Sequence, residues 1–186
     1  MTVLEAIVTR RSIKAFTDRE IPREEIERLL EAACQVPNHR MTEPWRFYVL
    51  GPEARAVYGA ALGARKAKRV EDPDTAQAVI DKVESTHREL PHILAVSIVL
   101  DENAEICEED YAATYMAIQN LSLLAHATGL GTHIKSGAIM DDPRARAAVG
   151  LPEGERIIAT INLGEPASVP EAKTRRPAEE LTTWVA

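Results

Sequence analysis

The sequence predicts an α+β domain in which a small mixed or antiparallel sheet, flanked by helices, packs around one long central helix. Three observations carry that expectation. Helical and extended patterns follow in the order α-α-β-α-α-β-α-(β)-α-β, without the strict alternation of a doubly wound fold. Ile93 to Leu100 (ILAVSIVL) is a continuous apolar run between Pro91 and Asp101, the pattern of a strand covered on both faces. Tyr111 to Thr128 is small or apolar on nearly every side, with Gln119, Asn120 and His126 the strongly polar exceptions. A helix with that pattern is buried all round, either as a core helix or as one shared with a partner subunit. The second alternative is favoured, because the surrounding elements are too few to wrap it.

The elements follow in order. Val3, Leu4, Ile7 and Val8 fall at helical spacing behind Thr2, a plausible N-cap. Pro22 opens a second helix with Ile26, Leu29, Leu30 and Ala33 on one stripe. A polar loop from Pro37 to Pro44 leads into a strand, WRFYVL, closed by Gly51-Pro52. Glu53 to Arg88 reads as two helices broken near Pro73, with the weakest core pattern in the chain, and is expected to form a mobile flap or lid. Glu108, Glu109 and Asp110 supply negative charge to the expected start of the long helix, and Gly129 ends it. A short extended piece (THIKSG), a helix from Pro143 to Val149 and a strand from Arg156 to Leu163 complete the domain. The tail from about residue 165 carries Lys173, Arg175 and Arg176 and is too short for a core of its own.

Composition removes several classes of function. The chain has 186 residues, 45 % hydrophobic and 27 % charged, ordinary values for one folded domain. A net charge of −7 argues against broad binding to nucleic acid or anionic membrane. Aromatics at 4 % leave no platform for stacking bases. The two cysteines, Cys34 and Cys107, form no disulfide framework and fit a reducing compartment. With no signal-peptide pattern at the start and no apolar run long enough to span a bilayer, the expectation is a soluble cytoplasmic protein.

Candidate chemistry is confined to anion handles. Arg10, Arg11 and Lys14, with the Ser12 hydroxyl, place three cations within five residues at the end of the first helix. They suit either the helix dipole or a phosphate. Lys173, Arg175 and Arg176 form a second basic cluster, which is either a solvated face or part of the same site. GLGTH (129–133) follows a helix, whereas a dinucleotide fingerprint follows a strand and opens a helix. No Walker motif, no metal-ligand spacing among His and Cys, and no nucleophile elbow around any serine is present. Anion handles without a catalytic machine suit a protein whose chemistry is carried by a bound cofactor.

RRSIKAF (10–16), PNHRMTEPWRFYVL (37–50), YMAIQNLSLLAHATGLGTHIKSG (115–137) and KTRRPAEELTTW (173–184) resemble, in that order and over nearly the whole chain, the FMN-dependent nitroreductase family. Length and the His in the second segment resemble its compact branch of small NAD(P)H nitroreductases. The resemblance implies an obligate homodimer with FMN at the subunit interface and the long helix in the dimer core. It implies that Arg10, Ser12 and Lys14 hold the phosphate, ribityl chain and pyrimidine edge, with Arg11 contributing main chain. Gln35 and His39 would come from the other subunit. Ile134, Lys135 and Ser136 would line the isoalloxazine, with backbone N–H groups near N5. Lys173 and Arg175 would grip the phosphate again. In the family's common loop, an amide is usual where Met41 stands, and a Gln where Glu43 stands.

By the same resemblance no side chain is a catalytic nucleophile. NAD(P)H reduces the flavin, leaves, and a nitroaromatic, quinone or enone-like acceptor takes the electrons in a ping-pong cycle. A cation at Lys14 favours negative charge on the reduced ring and raises its potential. The stretch from Arg65 to His87 borders the substrate opening. The alternative from another class is a flavin-binding carrier or regulatory dimer without turnover.

Overall fold

In the computed structural model, which describes residues 1–185, four strands make one sheet. They are β1 (Trp45–Leu50), β2 (His92–Val99), β3 (Gly131–Lys135) and β4 (Glu155–Gly164), in the order β1-β2-β4-β3. All three pairings are antiparallel, which resolves the mixed-or-antiparallel expectation. The helices are α1 (Val3–Thr9), α2 (Arg23–Ala33), α3 (Pro52–Ala67), α4 (Pro73–Arg88), α5 (Ala104–Ala127) and α6 (Pro143–Val149). Among the described residues no helix is long and apolar enough to cross a membrane.

The apolar run of β2 is explained by two different layers. Leu94, Val96 and Ile98 meet Leu29 of α2 and Ile118 and Leu121 of α5 on one face. Ala95, on the other, meets Tyr58 and Ala61 of α3 and Ala145 of α6. A strand sandwiched in this way has no polar face, so the alternation of a half-exposed strand is lost.

The long helix begins at Ala104, earlier than the charges at 108–110 predict. The Asn103 side-chain oxygen accepts from the Glu105 N–H at 2.9 Å and caps it. The acidic triplet instead occupies the helix interior. Toward the sheet α5 buries Ala113, Ala117, Ile118, Leu121 and Ala125. Thr114 and Ser122, also buried, return their hydroxyls to the carbonyls four residues back, each at 2.8 Å, and so sit there without an unpaired donor. On the opposite side Tyr115 is 44 % and Met116 41 % exposed. The helix is therefore covered on one side only.

The segment expected to be a flap is a packed helical hairpin. A Cβ on Gly59 of α3 would stand 2.7 Å from the Cβ of His87, so α4 lies as close to α3 as backbones allow. Tyr58 and Ala61 reach the core from α3. The buried Arg55 donates to the carbonyls of Leu50, Arg88 and Pro91 at 3.0–3.3 Å, joining α4 to the ends of two strands. Small residues at the helix contact hide this packing from a pattern based on large apolar side chains. At the N-terminus, Thr2 and Glu5 form the reciprocal cap of α1. The tail from Ala167 to Val185 is exposed throughout.

Candidate active site

Residues 10–17 run across one edge of the sheet. Ser12 bridges to Thr132, the Ile13 N–H donates to the Thr132 carbonyl at 2.9 Å, and the Thr17 N–H donates to Glu165 at 2.9 Å. The Ala167 N–H donates back to Ala15 at 3.0 Å, which brings the start of the tail beside the same segment. Ile13 packs directly over Gly131, where a Cβ has no room. Segments 10–17 and 165–175, far apart in sequence, are thereby held side by side.

Between them lies a cavity of about 620 Å³, lined by Arg10, Arg11, Ser12, Lys14, Lys173 and Arg175. The structure thus brings both basic clusters to one place, within the usual size range for small-molecule sites, about 300–1,000 Å³. Among the described residues none of these cations has a carboxylate within 4.0 Å. Glu171 is the one acid in the wall. Arg11 turns its guanidinium onto the carbonyls of Val8 and Arg10, both at 2.9 Å, so it stabilises the end of α1 and offers the cavity main chain. Nearby His126, bonded to Thr9 at 2.7 Å, is held below its ordinary pKa by burial and then by the Arg10 and Arg11 charges.

On β3 the side chains alternate. Ile134 packs with the helix-side core, whereas Lys135 stands on the opposite face of this edge strand. Burial, and then the Lys66 charge, holds the Lys135 ammonium below its ordinary pKa. Ser136 lines a different cavity, beside Tyr111, Tyr115 and Arg156.

Gln35 and His39 are not in the basic cavity. His39 pairs with Glu109 at 3.0 Å, and Arg40 with the same carboxylate at 2.7 Å, near the start of α5. Arg10 and Arg11 lie by His126, near its end. Along the helix axis the two places are about 25 Å apart at the usual helical rise. The His39 loop is also strained: Arg40, Met41 and Glu43 have φ of 66°, 50° and 43°, a region that costs a non-glycine residue roughly 1 kcal/mol or more. Asn38 holds it, accepting from the Glu43 N–H at 2.7 Å and donating to Thr42 at 3.1 Å. Sequence reasoning singled out His39 but not Asn38 or Glu109; an Asx side chain before a run of large residues was the available signal.

A sequence model described as the Nitroreductase family matches residues 7–165. The Bacillus subtilis (strain 168) protein named "Putative NAD(P)H nitroreductase YfhC" is 38 % identical over 186 residues, covering 98 % of this chain and 94 % of that protein. Among solved structures, a nitroreductase-like family protein from Bacillus cereus superposes with a TM-score of 0.85 at 29 % identity, covering 100 % of this chain and 96 % of that one. An FMN- and NADPH-dependent nitroreductase, NfnB from sphigopyxis sp. strain HMH, superposes at 0.77 with 20 % identity and full coverage of both chains, a likeness of fold. The chain belongs to the nitroreductase family, and with it to the oxidoreductases.

Proposed function

We propose that this protein is a cytoplasmic, homodimeric FMN enzyme that is reduced by NAD(P)H and passes electrons to a nitroaromatic, quinone or enone-like acceptor in a ping-pong cycle. The observation that carries the reading is the joining of two basic clusters, without carboxylate partners, in one cavity of an acidic protein. A phosphate dianion is the group such a cavity suits. Bound there, FMN supplies a ring that accepts two electrons from a nicotinamide and gives them up to a second substrate.

The chain's own residues hold and tune that group. Arg10, Lys173 and Arg175 grip the phosphate, Ser12 a ribityl hydroxyl, and Lys14 the pyrimidine edge, where its charge favours the reduced ring. Arg11 and Ile134 contribute main chain, and Lys135 and Ser136 the wall beside the ring. Gln35 and His39 reach the site from the second subunit. That assignment requires the two α5 helices to pair antiparallel, which would set the Glu109 end of one beside the His126 end of the other. The exposed flank of α5 supplies the contact, and the tail of the single domain, from about residue 165, packs on the dimer, its last residue, 186, lying outside the described residues. Strain in the 38–43 loop is the form expected of a segment positioned for a ligand on another chain.

The test is the visible spectrum of the purified dimer, recorded without oxygen before and after NADPH and then NADH. A yellow protein that bleaches is expected. A flavin band that survives both dinucleotides overturns turnover in favour of a carrier. A colourless protein that ignores added FMN overturns the site. Arg10→Ala weakens FMN binding by roughly 10- to 100-fold, the worth of a charge-assisted phosphate contact, with the dimer retained. Unchanged affinity removes Arg10 from the phosphate grip.

A further inference from the structure

We propose that a third, smaller cavity, lined by the α3–α4 hairpin, holds an oxyanion, a carboxylate or phosphate, carried by a substrate of the reaction proposed above; the inference rests on that reading and deepens it. Val79, Lys82, Val83, Thr86 and His87 recur at three- and four-residue steps along α4 and, with Lys66 of α3, line a cavity of about 280 Å³. The sheet brings a further cation to the same face. Lys135 pairs across strands with Thr160, the Thr160 hydroxyl lies 3.3 Å from that of Tyr58, and the Tyr58 and His87 rings are 6.0 Å apart. His133, two positions back on β3, stands on that face with Lys135.

These charges act on one another. Burial and then Lys66 hold down the Lys135 ammonium. His87 is lowered by burial first, against the Val83 carbonyl, and then by Lys135 and Lys66. His133 is lowered by burial and then by Lys135 and Lys14. The track therefore runs from Lys14, at the edge of the basic cavity, through His133 and Lys135 to Lys66 and Lys82. Among the described residues none of its four lysines has a carboxylate within 4.0 Å.

The wall has one more unmet need. His87, 4 % exposed, donates from Nδ1 to the Val83 carbonyl at 2.7 Å, so Nε2 of the neutral ring is an acceptor, and it has no partner. Cations that line a recess and lack counter-ions draw in negative ligands and hold them by charge-assisted hydrogen bonds. Lys14 already serves the proposed ring site. A molecule with an anionic group in the small cavity thus lies along β3 with its other end toward the ring.

The experiment uses the flavin-loaded protein and the Lys66→Met, Lys82→Met double variant, both at exposed positions. Flavin content is read from the visible spectrum. Calorimetric titration with 4-nitrobenzoate and with its uncharged methyl ester gives Kd, and steady-state assays give KM for each acceptor and for NADPH and NADH. The expected result is that the wild type prefers the acid and that the double variant weakens the acid by roughly 10-fold or more, leaving the ester unchanged. A rise confined to the KM of a dinucleotide keeps the oxyanion site and assigns it to the phosphates of the electron donor. Equal binding of acid and ester by the wild type, with no KM altered in the variant, overturns the proposal. Failure of either dinucleotide to bleach the protein defeats the flavin-enzyme reading alone, because the calorimetric comparison still decides whether the lysines bind an anion.

Discussion

The interior of this molecule and its rim obey different rules. Inside, both faces of the sheet are closed by the chain itself: Leu121 and Ile161 are buried on one and Tyr58 and Ile157 on the other. At the rim, Val3 is 75 %, Leu4 69 % and Trp184 92 % exposed, and Tyr115 and Met116 on α5 are open as well. These exposed apolar residues on helices and a tail are the surface that the proposed dimer would cover. The rim also supplies Ile7, Val8 and Val169 to the basic cavity. One chain therefore completes its core, whereas the walls of the candidate cofactor site are where the second copy proposed above would add residues.

The same truncation at the two places breaks or sharpens this contrast most strongly. Leu121→Ala empties a fully buried position between α5 and the sheet and is expected to cost about 2–5 kcal/mol in urea unfolding. Leu4→Ala removes the same atoms from an exposed position. Measured dilute enough for chains to separate, it changes unfolding by about 0.5 kcal/mol or less. Equal losses at both positions would mean that α1 is covered within a single chain. A smaller effect follows at the α5 flank. Met116→Asp is expected to weaken self-association by about 2 kcal/mol or more, read by sedimentation equilibrium, and to release flavin in parallel. A dimer unaltered by it removes this flank from the interface.

Much of the interior was legible in the sequence because each element there carries a local signal. Pro91 and Asp101 bracket β2, Pro73 separates α3 from α4, and Gly129 ends α5. The start of α5 was not, since Glu108, Glu109 and Asp110 look like a first turn while the cap, Asn103, stands before a polar stretch. The α3–α4 packing was missed for another reason: Gly59 and Gly63 make contact by being small, and hydropathy periods weigh size. In the site, the basic clusters were visible as charge, but their meeting depends on the backbone bonds of Thr17 and Ala167 to Glu165 and Ala15, which no spacing encodes. The Lys66 and Lys135 pairing was hidden in the same way, since only the sheet places an edge-strand lysine beside a helix hairpin.

The smallest effect concerns the histidines that the interior keeps from water. Burial pulls His87, His92, His126 and His133 below their ordinary value of 6.5. Below that pH the unfolded chain binds more protons than the folded one, so stability is full above about 6.5 and declines as pH falls toward the lowered folded values. The carboxyls of Asp72, Asp141 and Asp142, held below 3.8 mainly by hydrogen bonds from Thr75, Arg156 and Arg144, act only at lower pH and leave this window to the histidines. Each histidine contributes at most about 1.4 kcal/mol per pH unit, and less where it is partly exposed. His87→Asn retains a donor for the Val83 carbonyl but does not titrate. Its urea midpoint at pH 7.5 is expected to drop through lost packing on Tyr58, while its decline from pH 7.5 to 5.5 is shallower than in the wild type. An equal decline would place the acid sensitivity at the other three histidines, nearer the rim. An anion seated against Lys66 offsets part of the repulsion that lowers His87, so 4-nitrobenzoate makes the wild type's decline toward pH 5.5 shallower, closer to that of the variant, if the small cavity takes it.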